Sequence, residues 1–173
     1  MFRMMKSRVA VLAAVSLVVL PVVGVASPAV AGTKGHAPPN LCISVNGVTV
    51  QSGTATCASD PGGNVAIASG DGARANALAG TNSIATAIGT DATAGTAEGD
   101  HNTSTSVGAG AFTNAVDGNF NTAVATGSNA SAVAGAGNGN TATANGANTG
   151  AIALALTGCT AHANRQNPSV DCP

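Results

Sequence analysis

The sequence predicts an all-β protein: a parallel β-solenoid (β-roll) of about five 19-residue coils with an Ala-lined interior, capped by disulfide-bonded terminal segments. Three observations carry that prediction. One pattern is written five times across residues 64–158, each copy opening with an Asn: Asn64, Asn82, Asn102, Asn121 and Asn140, at spacings of 18, 20, 19 and 19. Self-similarity at a fixed short period marks a repeat architecture. Within the copies, small residues alternate with larger ones at period two, the period of a strand. Finally, the 173 residues include no Trp, no Tyr and three Phe, so a core of large side chains cannot be built.

Each copy contains a Gly six or seven positions after its Asn: Gly70, Gly89, Gly108, Gly127 and Gly146. The positions two and four before that Gly hold only Ala or Ser: Ala66/Ala68, Ala85/Ala87, Ser104/Ser106, Ala123/Ala125 and Ala142/Ala144. Between them stand larger residues such as Val65, Ile67, Ile84, Thr103, Thr122 and Thr141. A two-residue turn after the Gly leads to a second alternating run. It reads Ala73, Ala75, Ala77, Ala79 in the first copy, Ala130, Ala132, Ala134, Ala136 in the fourth, and Ala151, Ala153, Ala155 in the fifth. Arg74 and Asn76 interleave with the first of these and cannot enter a narrow dry space without partners. The Ala face is therefore the inner one.

Two strands and two tight turns close one coil, and successive coils stack at about the 4.8 Å strand spacing. Ala burial contributes little hydrophobic energy per residue, so ladder hydrogen bonds and close packing must hold the roll. The opening Asn residues should stack at one turn, their amides forming a ladder. Asn also tolerates the left-handed conformations that turns need.

The ends of a solenoid are open sheet edges and require caps. Residues 42–63 are expected to form a hairpin cap, turned by Asn46-Gly47, with Val45 opposite Val48 and Ile43 opposite Val50. Asn-Gly between alternating runs is the strongest short-range hairpin signal, because a type I′ turn takes positive φ twice. Residues 159–173 form the other cap. The four cysteines fall in two local pairs, Cys42/Cys57 and Cys159/Cys172, read as disulfides, each closing a ring worth about 3 kcal/mol by chain entropy. The alternative use is a metal site of Cys159, His162 and Cys172.

Residues 1–31 read as a signal peptide: Arg3, Lys6 and Arg8 precede an apolar run from Val9 to Val25, and Ala29-Val30-Ala31 resembles a cleavage site. That run is short for a membrane span of about 20 residues, so no span is expected in the mature form. Residues 32–41 are a Gly/Pro linker. Removing three basic and no acidic residues takes the net charge from −1 to −4. Nucleic acid, which demands clustered Lys and Arg, is not an expected partner. The rival to the β-roll is a disordered, low-complexity exported segment over 64–158, which gives no reason for Ala rows at period two.

No catalytic group is expected. His36, His101 and His162 are isolated, and Asp71, Asp91, Glu98, Asp100 and Asp117 scatter near turns without building a calcium or other metal site. No cofactor is implied, and the many Ser and Thr lack a partnered base. The outer faces are better candidates. Thr103, Thr105, Thr122, Thr126, Thr141 and Thr143 form a hydroxyl and methyl array on the first strand, suited to binding ice or a glycan surface. On the second strand Leu78, Phe112, Val116, Val133, Ile152, Leu154 and Leu156 form an apolar stripe. The C-terminal cap is expected to cover its Ile152–Leu156 end, the rest serving self-association or a cell-surface partner.

The unit NSIATAIG (Asn82 to Gly89), with NVAIASG and NTAVATG, resembles the head repeats of trimeric autotransporter adhesins, which form parallel β-rolls. The whole plan resembles small secreted Ala/Gly-rich repeat proteins of actinobacteria. The adhesins' coiled-coil stalk and membrane-barrel anchor have no counterpart in these residues, so trimeric display is not implied. Together the residues and the resemblance imply a secreted, extracellular or cell-wall protein with a structural or surface-interaction role.

Overall fold

An Ala-only row leaves one strand face almost flat, so two such faces can approach more closely than ordinary sheets. The computed structural model describes residues 39–154, 157–167 and 169–172, the side chains of Val170 and Cys172 excepted. They belong to one compact unit, His36–Pro173. The expected signal peptide and most of the linker lie outside the described residues.

The chain begins with β1 (Leu41–Val45), β2 (Val48–Ser52) and β3 (Thr56–Ser59). Six coils follow, each with two strands: β4 (Val65–Ser69) and β5 (Arg74–Ala77); β6 (Ile84–Ile88) and β7 (Thr93–Ala97); β8 (Thr103–Val107) and β9 (Phe112–Val116). The last three pairs are β10 (Thr122–Thr126) and β11 (Ser131–Gly135), β12 (Thr141–Asn145) and β13 (Gly150–Leu154), β14 (Thr160–Ala163) and β15 (Ser169–Cys172). Sheet A has the order β14-β12-β10-β8-β6-β4-β1-β2, and sheet B the order β15-β13-β11-β9-β7-β5-β3. From β4 onward, sheet A neighbours are parallel and offset by 19 residues, as in Val65↔Ile84, Ile84↔Thr103 and Thr103↔Thr122. No helix occurs among the described residues.

The expected interior is present. Ala66, Ala68, Ala85, Ala87, Ala123, Ala125, Ala142 and Ala144 are fully buried in sheet A, facing Ala73, Ala75, Ala132, Ala134, Ala151 and their neighbours in sheet B. Ala79 and Ala136 are not part of it. Both are exposed and adopt left-handed φ of 50° and 55°, because the chain has already begun to turn. Ala155 lies outside the described residues. The third coil is the most polar inside, with Ser104, Ser106 and Thr113 there, and Thr96 enters the interior from the second coil. Ser104 Oγ and Thr113 Oγ1 bond across the interior at 2.7 Å, and the Gly95 N–H donates to Ser104 Oγ at 3.2 Å. The Ala core is divided there into two clusters.

The ends differ from each other. At the start, the hairpin has the expected turn, with φ of 51° at Asn46 and 83° at Gly47, and the expected pairs Ile43↔Val50 and Val45↔Val48. β1 joins β4 antiparallel, while β3 joins β5 parallel. The Cys42–Cys57 disulfide, with Cα atoms 5.6 Å apart, ties β1 to β3 and so sheet A to sheet B. At the other end, the segment expected as a cap is itself a sixth coil. Thr160-Ala161-His162-Ala163 continues the alternation, so it pairs in register with β12 and buries Ala161 and Ala163. β15 extends sheet B beside β13 rather than lying over it. Ile152 and Leu154 are consequently uncovered, at 39% and 42% exposure, contrary to the expected role of the tail.

Stacking at this spacing dictates the turn glycines. A Cβ built on Gly89 (φ 125°) would stand 2.6 Å from the carbonyl oxygen of Gly108 in the next coil. From Gly70 to Gly146 that column holds only Gly.

Candidate functional site

From β4 onward, the residue just before each sheet A strand occupies one column: Asn64, Ser83, Asn102, Asn121, Asn140 and Cys159, always 19 apart. All are buried. The first five side chains each accept from the backbone of the next coil. The Ser83 N–H donates to Asn64 Oδ1 (2.9 Å), Asn102 N–H to Ser83 Oγ (3.2 Å) and Asn121 N–H to Asn102 Oδ1 (2.9 Å). Asn140 N–H then donates to Asn121 Oδ1 (3.0 Å), and Cys159 N–H to Asn140 Oδ1 (2.9 Å). The amide nitrogens of Asn64, Asn102 and Asn121 donate to the carbonyls of Gly80, Gly118 and Gly137 at 2.7 to 2.8 Å.

This corrects the predicted ladder in two ways. Asn82 is exposed, with φ 53°, and Ser83 takes its place, because register follows the strand start and not the residue type. The ladder also runs from side chain to backbone, since the turn amides and carbonyls need partners more than the side chains need each other. A constant 19-residue spacing, read through Ser83, was the signal in the sequence.

A second ladder at the same bend runs the other way. Thr81 donates from its N–H (2.8 Å) and Oγ1 (2.7 Å) to Asp100 Oδ1, Asp100 N–H donates to Asn119 Oδ1 (2.7 Å), and Asn119 N–H to Asn138 Oδ1 (2.8 Å). The hydrogen bond from the Thr81 hydroxyl, then that from its backbone, lowers the Asp100 pKa below its usual 3.8. Beside this ladder, His101 (φ 59°) stacks on Phe120 (φ 60°), ring centroids 4.9 Å apart. Left-handed φ is uncommon for so bulky a residue as Phe. Here His101 and Phe120 share a column with Asn82 and Gly139.

The outer face of sheet A is the candidate surface. Its three rows are in register: Val45, Val65, Ile84, Thr103, Thr122, Thr141, Thr160; Ile43, Ile67, Thr86, Thr105, Val124, Thr143, His162; and Leu41, Ser69, Ile88, Val107, Thr126, Asn145. Thr103, Thr105, Thr122, Thr141 and Thr143 therefore do come together, each half-buried by its neighbours. The rows also reveal what spacing alone concealed. The end nearest the hairpin is aliphatic, with Leu41, Ile43, Val45, Ile84 and Ile88 at 36% to 45% exposure and Val48 and Val50 at 72% and 73%. The antiparallel β1 puts its outward residues onto the same rows, a placement that only the pairing reveals. None of the sheet A strands contains Asp, Glu, Lys or Arg.

The apolar residues of sheet B do not form the expected continuous stripe. Phe112 is exposed, while Leu78, Val116 and Val133 are half-buried. Gly95 and Asn114 separate them, being register partners of each other next to the Thr93↔Phe112 pair. Leu156 lies outside the described residues. Cys159 is held in a disulfide, which removes it as a metal ligand; the side chain of Cys172 lies outside the described residues, as does His36. Among the described residues no three His, Cys, Asp or Glu groups gather. An open hollow of ≈ 400 Å³ at the C-terminal end is lined by Asn145, Gly146, Asn164, Arg165 and Gln166 and contains no nucleophile–base pair.

No family model, curated protein or solved structure matches the chain.

Proposed function

We propose that this chain is an exported, non-catalytic surface-interaction protein of the cell envelope that works through the outer face of sheet A. The observation that supports the reading is that face itself: rows in register from strand to strand, free of formal charge, and graded from aliphatic to Thr-rich. Such a surface offers contact area and hydroxyls but no convergent polar groups for a small substrate. The test is co-sedimentation with purified cell-wall fragments. Thr105→Asp with Thr143→Asp should abolish binding, whereas Asn114→Asp on sheet B should leave it intact. Binding that ignores the sheet A substitutions would overturn the reading.

A second reading is a binding module for ice or a glycan surface, favoured by the in-register column Thr103, Thr122, Thr141 and Thr160. Thermal-hysteresis and polysaccharide pull-down measurements separate it from the first.

A further inference from the structure

We propose that β2 is a pairing edge through which two copies of this chain associate, β2 against β2, continuing sheet A across a two-fold axis. Among the described residues β2 ends sheet A, pairing with β1 on one side and with no strand on the other. Its sequence, VTVQS, contains no charge and no Pro. Native sheets usually guard such an edge with Lys, Pro, a bulge or a covering segment. The opposite end of this molecule is guarded. Exposed His162 lies on β14 and exposed Asp171 on β15, and the Arg165 side chain lies against Gly146, its Cγ 2.8 Å from where a Cβ would be. Asp171 and Arg165 thus put charge beside the last strands, whereas β2 itself carries none.

The geometry also favours this edge. Sheet A has eight strands and sheet B seven, so β2 has no counterpart beneath it and projects past β3. A two-fold contact reverses the partner strand, which makes the new pair antiparallel, and it matches one surface with itself. Val48 and Val50 of each copy would meet beside Ile43 and Val45, joining the two aliphatic ends into one band. The free edge is about 17 Å long, from five residues at roughly 3.4 Å each. It covers on the order of a few hundred Å² per copy, below the roughly 800 Å² per partner of a standard interface. The dimer is therefore weak and concentration-dependent. It does not depend on whether the face binds the envelope.

Sedimentation equilibrium of the full chain over a wide concentration range tests the pairing. The mass should rise toward that of a dimer, and Val50→Lys should lower the association constant by about tenfold or more. Ile84→Thr, on the same face but three strands from the edge, should leave it unchanged. Val48→Lys serves if Val50→Lys loses the strand signal in circular dichroism. A monomeric mass throughout overturns the proposal. So does a dimer that survives Val50→Lys and Val48→Lys, or one that Ile84→Thr abolishes, since the contact would then be the face.

Discussion

At the scale of single residues, this protein depends on small polar groups placed at turns. Asn121 bonds three backbone groups: it accepts from Asn140 N–H and donates to the carbonyls of Val116 and Gly137. Asn121→Ala strands all three in a buried bend, so we expect a loss of about 2–4 kcal/mol in chemical denaturation. Asn82→Ala should cost no more than about 1 kcal/mol, because that side chain is exposed and only its left-handed backbone is at issue. Equal losses would show that the column through Ser83 is misassigned. The two residues look alike in the sequence, since both open a repeat. Their strands decide between them.

At the scale of elements, the N-terminal hairpin and β3 act as one clamp. The Asn46-Gly47 turn was legible because its chemistry is local. That β1 would run antiparallel against the first coil was not legible, because either strand direction satisfies the same alternation. The disulfide then fastens β1 to β3. Cys42→Ala with Cys57→Ala replaces the bridge by the residue that fills the rows beside it, Ala68 and Ala75. We expect a loss of about 3 kcal/mol from the chain-entropy term. Amide exchange should accelerate first in β1 to β3 while β10 and β11 stay protected, since a solenoid couples mainly to its nearest neighbours. Uniform acceleration would instead mean that the roll unfolds as one unit.

At the scale of the molecule, the interior is two Ala clusters meeting at a polar third coil. Ser104 and Thr113 satisfy each other there, but Ser106 Oγ is buried without a hydrogen-bond partner. Ser106→Ala removes that hydroxyl and completes the Ala row. It should therefore stabilise the roll by about 1 kcal/mol, read as a higher denaturation midpoint at unchanged slope. A lower midpoint would show that the hydroxyl is used. The same scale separates the two outer faces. Sheet A sorts its residues into an aliphatic end and a Thr end, whereas sheet B intersperses apolar residues with Gly95 and Asn114.

The sequence by itself determined the strand period, the inner Ala rows, the turn glycines and the local cysteine pair Cys42/Cys57. These are properties of single positions repeated along a chain, and periodicity records them directly. Only the tertiary structure decided that Ser83 joins the ladder, that the tail makes a sixth coil, and that β1 and β2 bring their valines and isoleucine onto one face of sheet A. Each of these depends on which strand lies beside which, and in what direction. Backbone pairing selects that register through hydrogen bonds made 19 residues apart, whose partners no local pattern can name.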